Sequence, residues 1–142
     1  MSHSAPYLQW IIAPASDAYD AVRALDPAGR LVRGSRSLTK AALLDEMAAA
    51  LQFPPHFGGN WDALNDALCD PHERGWTVGI LDAGKVLSKS GSDDLVKFVA
   101  VLNGVAEQMA RVKKPFRVLL HEVSADLAAA QKRWAAAGVT VT

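Results

Sequence analysis

Two carboxylates four residues apart, Asp62 and Asp66, are the residues of this chain whose type and spacing most suggest chemistry. On a helix drawn at about 100° per residue they share an arc with Asp70, and Asn65 and Cys69 lie beside them. Trp61, Leu64, Ala67 and Leu68 fall on the opposite, apolar arc. Asp62 and Asp66 are then one turn, about 6 Å, apart along the axis. Like charges at that spacing destabilise an isolated helix by roughly 0.2–0.5 kcal/mol. The helix dipole, which favours an acid in the first turn, accounts for Asp62. It does not account for Asp66, because Asp is a mediocre residue inside a helix and this one repeats its neighbour's charge. A row of this kind suits a partner that supplies the missing cations.

The surrounding sequence keeps the charge local. Between Lys40 and Arg74 there is no Lys or Arg, and the acids in that interval are Asp45, Glu46, Asp62, Asp66, Asp70 and Glu73. The whole chain has a formal net charge of zero. Arg23, Arg30, Arg33, Arg36 and Lys40 make the preceding part basic and read as a solvated surface that balances the acids. A local negative field steers a basic partner and speeds its encounter.

Other chemistries close less well. His56 and His72 lie near the acids, as an acid/base pair or a metal site would need. No His-x-x-x-His or Cys-x-x-Cys pair accompanies them, and no activated nucleophile has a sequence signature. The expectation is a protein that is not an enzyme, with no metal and no cofactor. Gly58-Gly59-Asn60 could cradle an anion at a helix start. Asp62 would repel that anion, and the Gly-Lys-Ser/Thr sequence of a phosphate loop is absent.

The elements that must position the acids follow from the breakers around them. Pro54, Pro55, Gly58 and Gly59 make a turn-rich loop. Asn60 reads as the N-cap of the acidic helix, its short side chain accepting from a free backbone N–H. Before the loop, Thr39 reads as the N-cap of a helix in which Leu43, Leu44, Met47 and Leu51 recur at helical spacing. Met47 there is core filler, and Pro54 ends the helix region.

Composition bounds the rest. The chain has 142 residues, 50% of them hydrophobic, enough for one domain over 1–142 with a real core. A sequence pI near 6.9 argues against a dedicated nucleic-acid binder. The single cysteine, Cys69, excludes an intrachain disulfide and fits a reducing compartment. The start, Met1-Ser2-His3-Ser4-Ala5-Pro6, has no basic and apolar leader, and no stretch is long and apolar enough to span a bilayer. A soluble cytoplasmic protein without membrane contact is expected.

Strand candidates cover residues 7–12, 30–33, 76–81, 116–120 and 139–142. The apolar density of 76–81 suggests a central strand covered on both faces. Ser16, Ser92 and Ser124 read as caps of further helices. Tyr19, Val22 and Leu25 would line the first of these. Leu95, Phe98, Val99, Leu102, Val105, Ala106 and Met109, widened by Val96 and Val101, would bury the second. Gly104 within it suggests close packing on the sheet. Leu127 and Trp134 share a face of the last helix, and Gly138 is placed like a C-terminal glycine. Strands alternating with helices predict an α/β fold with a small parallel sheet.

The segment 51–69 resembles the barstar family, inhibitors of barnase-type ribonucleases. The family's mark is a helix ending in Leu-x-Leu-Pro, an aromatic-aromatic-Gly loop, and Asn-x-Asp-Ala-Leu-x-Asp at a helix start. Here these are Leu51-Gln52-Phe53-Pro54, His56-Phe57-Gly58 and Asn60-Trp61-Asp62-Ala63-Leu64-Asn65-Asp66, without a gap. The likeness extends more loosely over residues 30–122 and leaves N- and C-terminal extensions. It implies a barstar-like α/β fold and an intracellular inhibitor that binds a basic, secreted ribonuclease without touching nucleic acid. By position, it implies that Asp66 takes the place of an RNA phosphate in the enzyme's basic site and that Asp62 pairs with another cation. Asn60, Trp61, Asn65, Cys69 and Asp70 would lie on or beside the contact face, with His56 on the loop. His56 stands where the family's well-known member has Tyr, Asn65 where it has Trp, and Gly59 where it has an acid. The same fold serving a non-nuclease partner is the alternative.

Overall fold

Four of the five apolar runs expected as strands pair side by side, all in parallel. A computed structural model of the chain describes residues 7–54 and 57–139. Its strands are β1 (Leu8–Ile12), β2 (Arg30–Arg33), β3 (Trp76–Leu81) and β4 (Phe116–Glu122), in the sheet order β1-β4-β3-β2. Period-2 alternation sends Val32, Ile80, Leu120 and Trp10 to one face, in a row that crosses the sheet in register. Leu81 and Leu119 point to the other face, where they meet Ala18 and Val22. β3 is therefore central and covered on both sides, as its composition predicts.

Among the described residues five helices pack on this sheet: α1 (Ala18–Leu25), α2 (Lys40–Leu51), α3 (Trp61–Leu68), α4 (Ser92–Arg111) and α5 (Ser124–Ala136). Leu43, Leu44, Met47 and Leu51 of α2, Leu64 and Leu68 of α3, Phe98 and Leu102 of α4, and Trp134 of α5 share one core with Val32, Val78, Ile80, Val118 and Leu120. Each fully buried side chain of this size contributes roughly 1.5–3 kcal/mol. α1 alone packs in the smaller cluster on the opposite face, seated over Gly79, where a Cβ would come within 2.8 Å of Val22 Cγ1. The α/β class with a parallel sheet packed by helices is the one expected.

Several local expectations are corrected. Ser92 and Ser124 are not caps: each is the first helical residue, behind the extended Gly91 and Val123. Ser16 lies inside a short 3-10 turn, Ala15–Asp17, and the residue before α1 is Asp17. Tyr19 and Leu25 are exposed, because α1 meets the sheet only along Ala18 and Val22. Val96 is exposed too, so the buried stripe of α4 is narrower than its composition suggests. Gly104 has open space where a Cβ would stand, so close packing does not explain it. β4 runs two residues further than expected, through buried His121 and Glu122. Gly138 does end α5, at φ +115°, with its N–H on the Ala135 carbonyl and the Val139 N–H on that of Trp134. The strand expected over 139–142 lies outside the described residues except for Val139. Among the described residues no helix is long and apolar enough to cross a membrane.

Candidate functional site

α3 starts where the sequence predicts. Asn60 is extended (φ −137°, ψ 174°), and its Oδ1 accepts the Ala63 N–H at 2.7 Å. Gly59 before it has φ +68°, a left-handed conformation that costs glycine nothing. The loop leading in is pinned by apolar contacts: the Phe57 ring lies 5.0 Å from that of Phe53, which meets Trp76 edge-on at 6.3 Å. His56 lies outside the described residues. The helix is held down by Leu64 and Leu68, both fully buried, and at its far end the Trp76 indole N–H donates to the Leu68 carbonyl at 2.9 Å.

That packing turns Asp62 and Asp66 outward. Both are exposed, and among the described residues neither makes an ion pair. Asn65 is half-buried beside them. Cys69 is half-buried as well, its thiol 3.4 Å from Gln108 Oε1. Burial, and secondly the charge of Asp66, push that thiol up from its ordinary value, which makes it a poor nucleophile.

Asp70 has a different occupation. Its Oδ1 accepts the His72 N–H at 2.8 Å and its carbonyl the Glu73 N–H at 3.0 Å, so it shapes the turn that leaves the helix. Its carboxylate therefore stands apart from the outward pair. His72 is exposed at this turn. Among the described residues, which do not include His56, no group of three His, Cys, Asp or Glu side chains is placed to hold a metal ion.

Trp61 departs from its place on the helical wheel. Instead of joining the core fully it is half-buried, with its ring 5.9 Å from that of Phe98 on α4 and Lys40 Nζ 5.4 Å from its centre. Its indole N–H is buried and has no acceptor among the described residues. Being the first helical residue explains the difference: it reaches past the end of α3 towards α4 and the start of α2.

The acidity is narrower than the interval 41–73 suggests. Glu46 is taken up by Arg33, whose Nε and Nη2 fork onto its carboxylate at 2.8 and 3.2 Å. These hydrogen bonds hold the Glu46 carboxyl below the usual carboxylate range. The first part of the chain is therefore more than a solvated counterweight. Lys114 Nζ donates to the Pro71 carbonyl at 2.9 Å, bringing a cation to the far end of α3. Sequence reading missed Lys40, Gln108 and Lys114 as neighbours of Trp61, Cys69 and Pro71 at the two ends of α3. They come from other elements, and no local pattern ties them to α3. What remains is a rigid, short helix that shows two adjacent carboxylates to solvent, with a lysine near each end.

A family model described as Barstar (barnase inhibitor) matches residues 29–121, well over half of the chain. It spans β2, α2, α3, β3 and α4 and almost all of β4, and leaves β1, α1 and α5 outside. No curated protein matches the chain.

Proposed function

The chain belongs to the barstar family, and on that premise we propose that it inhibits a barnase-type ribonuclease by presenting α3 to the enzyme's basic active site. The observation that carries this reading is the pair Asp62 and Asp66: one turn apart, exposed, and among the described residues in no ion pair with a cation of their own molecule. Two carboxylates about one turn apart can each meet a separate cation of the enzyme's site. Asp66 is the central group and Asp62 its neighbour. Asn60, Trp61, Asn65 and Cys69 frame them, with Asp70 at the rim and His56 on the preceding loop.

Rigidity supports the reading. A helix capped by Asn60 and buried through Leu64 and Leu68 presents its charges with little left to order on binding. The energy source is charge pairing in a cleft that loses its water, and the uncompensated field on the free protein speeds encounter. The protein performs no chemistry on RNA in this reading; it occupies the place where RNA would bind.

The test is inhibition of RNA cleavage. Purified secreted ribonucleases of the barnase type, barnase among them, are assayed with and without stoichiometric amounts of this protein. Stoichiometric loss of cleavage by at least one enzyme, reversed by Asp66→Ala, is the expected result. Full activity of every enzyme at micromolar inhibitor would defeat the proposal. A second reading, the same face serving a basic protein that is not a nuclease, is favoured by Asn65, a small polar residue where the family's well-known member has Trp. Host proteins retained by the wild type and lost with Asp66→Ala, but inactive on RNA, would select it.

A further inference from the structure

One cation stands against the ring of the first residue of α3. Lys40 is the first residue of α2, where the helix's own partial positive charge disfavours it. Its backbone N–H donates to Ser90 Oγ at 3.1 Å, so the start of α2 is tied to the loop before α4. Its ammonium lies 5.4 Å from the centre of the Trp61 ring, and Trp61 is the neighbour of Asp62. Phe98 braces the same ring at 5.9 Å. Lys89 is brought to this corner by its backbone N–H, which donates to the Leu38 carbonyl at 2.9 Å, and the acids on the elements that meet here are Asp62 on α3 and Asp93 and Asp94 in the first turn of α4. Among the described residues Lys40 nevertheless forms an ion pair with none of them.

An ammonium above a half-exposed ring is only modestly stabilised. The contact holds the charge on the ring of Trp61, the residue before Asp62, and no ion pair among the described residues neutralises it. A partner that covers Asp62 also covers the ground next to Trp61 and takes water from Lys40. An ammonium that loses water without gaining a counter-charge is strongly disfavoured.

Resting on the inhibitor reading, we propose that Lys40 is a specificity-determining residue of this interface and takes a carboxylate of the ribonuclease. Charges then pair in both directions. Basic groups of the enzyme meet Asp62 and Asp66, and an acid of the enzyme meets Lys40. Enzymes with a basic or apolar group at that place are rejected, and the register of docking is fixed by the change of sign along the surface.

The experiment turns on a sign. Wild type, Lys40→Met and Lys40→Glu are titrated against whichever ribonuclease the wild type inhibits, with association and dissociation rates measured separately. A carboxylate opposite Lys40 makes Lys40→Glu weaken binding by about tenfold or more, and by more than Lys40→Met does. A uniformly cationic enzyme surface gives the reverse: Lys40→Glu adds an acid, speeds association and tightens the complex. That result, or no change in either variant, overturns the proposal and leaves the inhibitor reading standing. A wild type that inhibits no ribonuclease overturns both. Lys40→Met keeps the aliphatic stem on Trp61, and unfolding curves of all three proteins separate a lost charge from a disturbed ring. Replacing the facing enzyme acid by Lys should restore binding to Lys40→Glu and not to Lys40→Met.

Discussion

The side chain of Asn60 accepts the backbone N–H of Ala63 at 2.7 Å, and this one bond sets where the acidic helix begins. Removing an N-cap of this kind costs about 0.5–2 kcal/mol. Asn60→Ala should lower stability by that amount in urea or thermal unfolding, and Asn60→Asp, which keeps an acceptor, should lower it much less. Binding should weaken in Asn60→Ala as well, since fraying would begin beside Asp62. An Asn60→Ala protein as stable as wild type would show that Leu64 and Leu68 alone fix the start.

Asp66→Ala should separate binding from folding. Breaking a buried ion pair by deleting one partner costs about 3–5 kcal/mol, which is roughly a hundred-fold or more in affinity. The same change on the free protein removes an exposed group with no ion pair among the described residues. Its effect on stability should stay within about 0.5 kcal/mol. Calorimetric titration and denaturant curves measured on one preparation test both halves. Association should also slow as salt rises, because the screening length shrinks to about 8–10 Å at physiological strength. Unfolding of Asp66→Ala would make the acid architectural.

Acid should weaken the junction between β2 and α2 before it touches the core. Arg33 holds the Glu46 carboxyl below its ordinary range through side-chain hydrogen bonds first and its backbone N–H second. A carboxyl depressed in the folded state contributes stability above its unfolded value, about 4.3. That contribution disappears as pH falls through the lower folded value. The unfolding midpoint of wild type should therefore drop on acidification below about pH 4. Glu46→Gln should be less stable at neutral pH and show a flatter decline there. Parallel curves for the two proteins would mean that the pair contributes nothing.

Gly104 offers the opposite test, a gain. It lies inside α4, is exposed, and has nothing within 4 Å of where a Cβ would sit. Glycine there costs up to about 1 kcal/mol relative to alanine, part of it through the freedom of the unfolded chain. Gly104→Ala should raise the denaturation midpoint with ribonuclease binding unchanged. A loss of stability would point to a contact that the open surface does not reveal.

The acidic helix itself was legible because its signals are local. Breakers, a capping Asn, two buried leucines and two acids lie within a dozen residues, and each acts on its immediate neighbours. The alternation of strands and helices and the central place of β3 were legible for the same reason. The serine caps were misread because Ser is a favoured N-cap type, while in the fold the extended Gly91 and Val123 take that position and the serines follow one residue later. His121 and Glu122 were left out of β4 because their polarity argues for an exposed end. In the fold the Asp82 N–H donates to His121 Nδ1 at 3.1 Å, while Nε2 lies 2.9 Å from the Ala13 carbonyl. The Gly84 N–H donates to Glu122 Oε2 at 2.9 Å. Partners so distant in sequence leave no mark on periodicity.

From sequence alone came the kind of fold, the start and faces of α3, and the choice of Asp62 and Asp66, because helix periodicity and capping act over a few residues. Only the tertiary structure decided which acids remain unpaired. Arg33 reaches Glu46 across thirteen positions, the turn after α3 occupies Asp70, and Lys40 comes to rest on Trp61. A charge is neutralised by what lies near it in space, and the packing of α2, α3 and α4 on the sheet sets those distances.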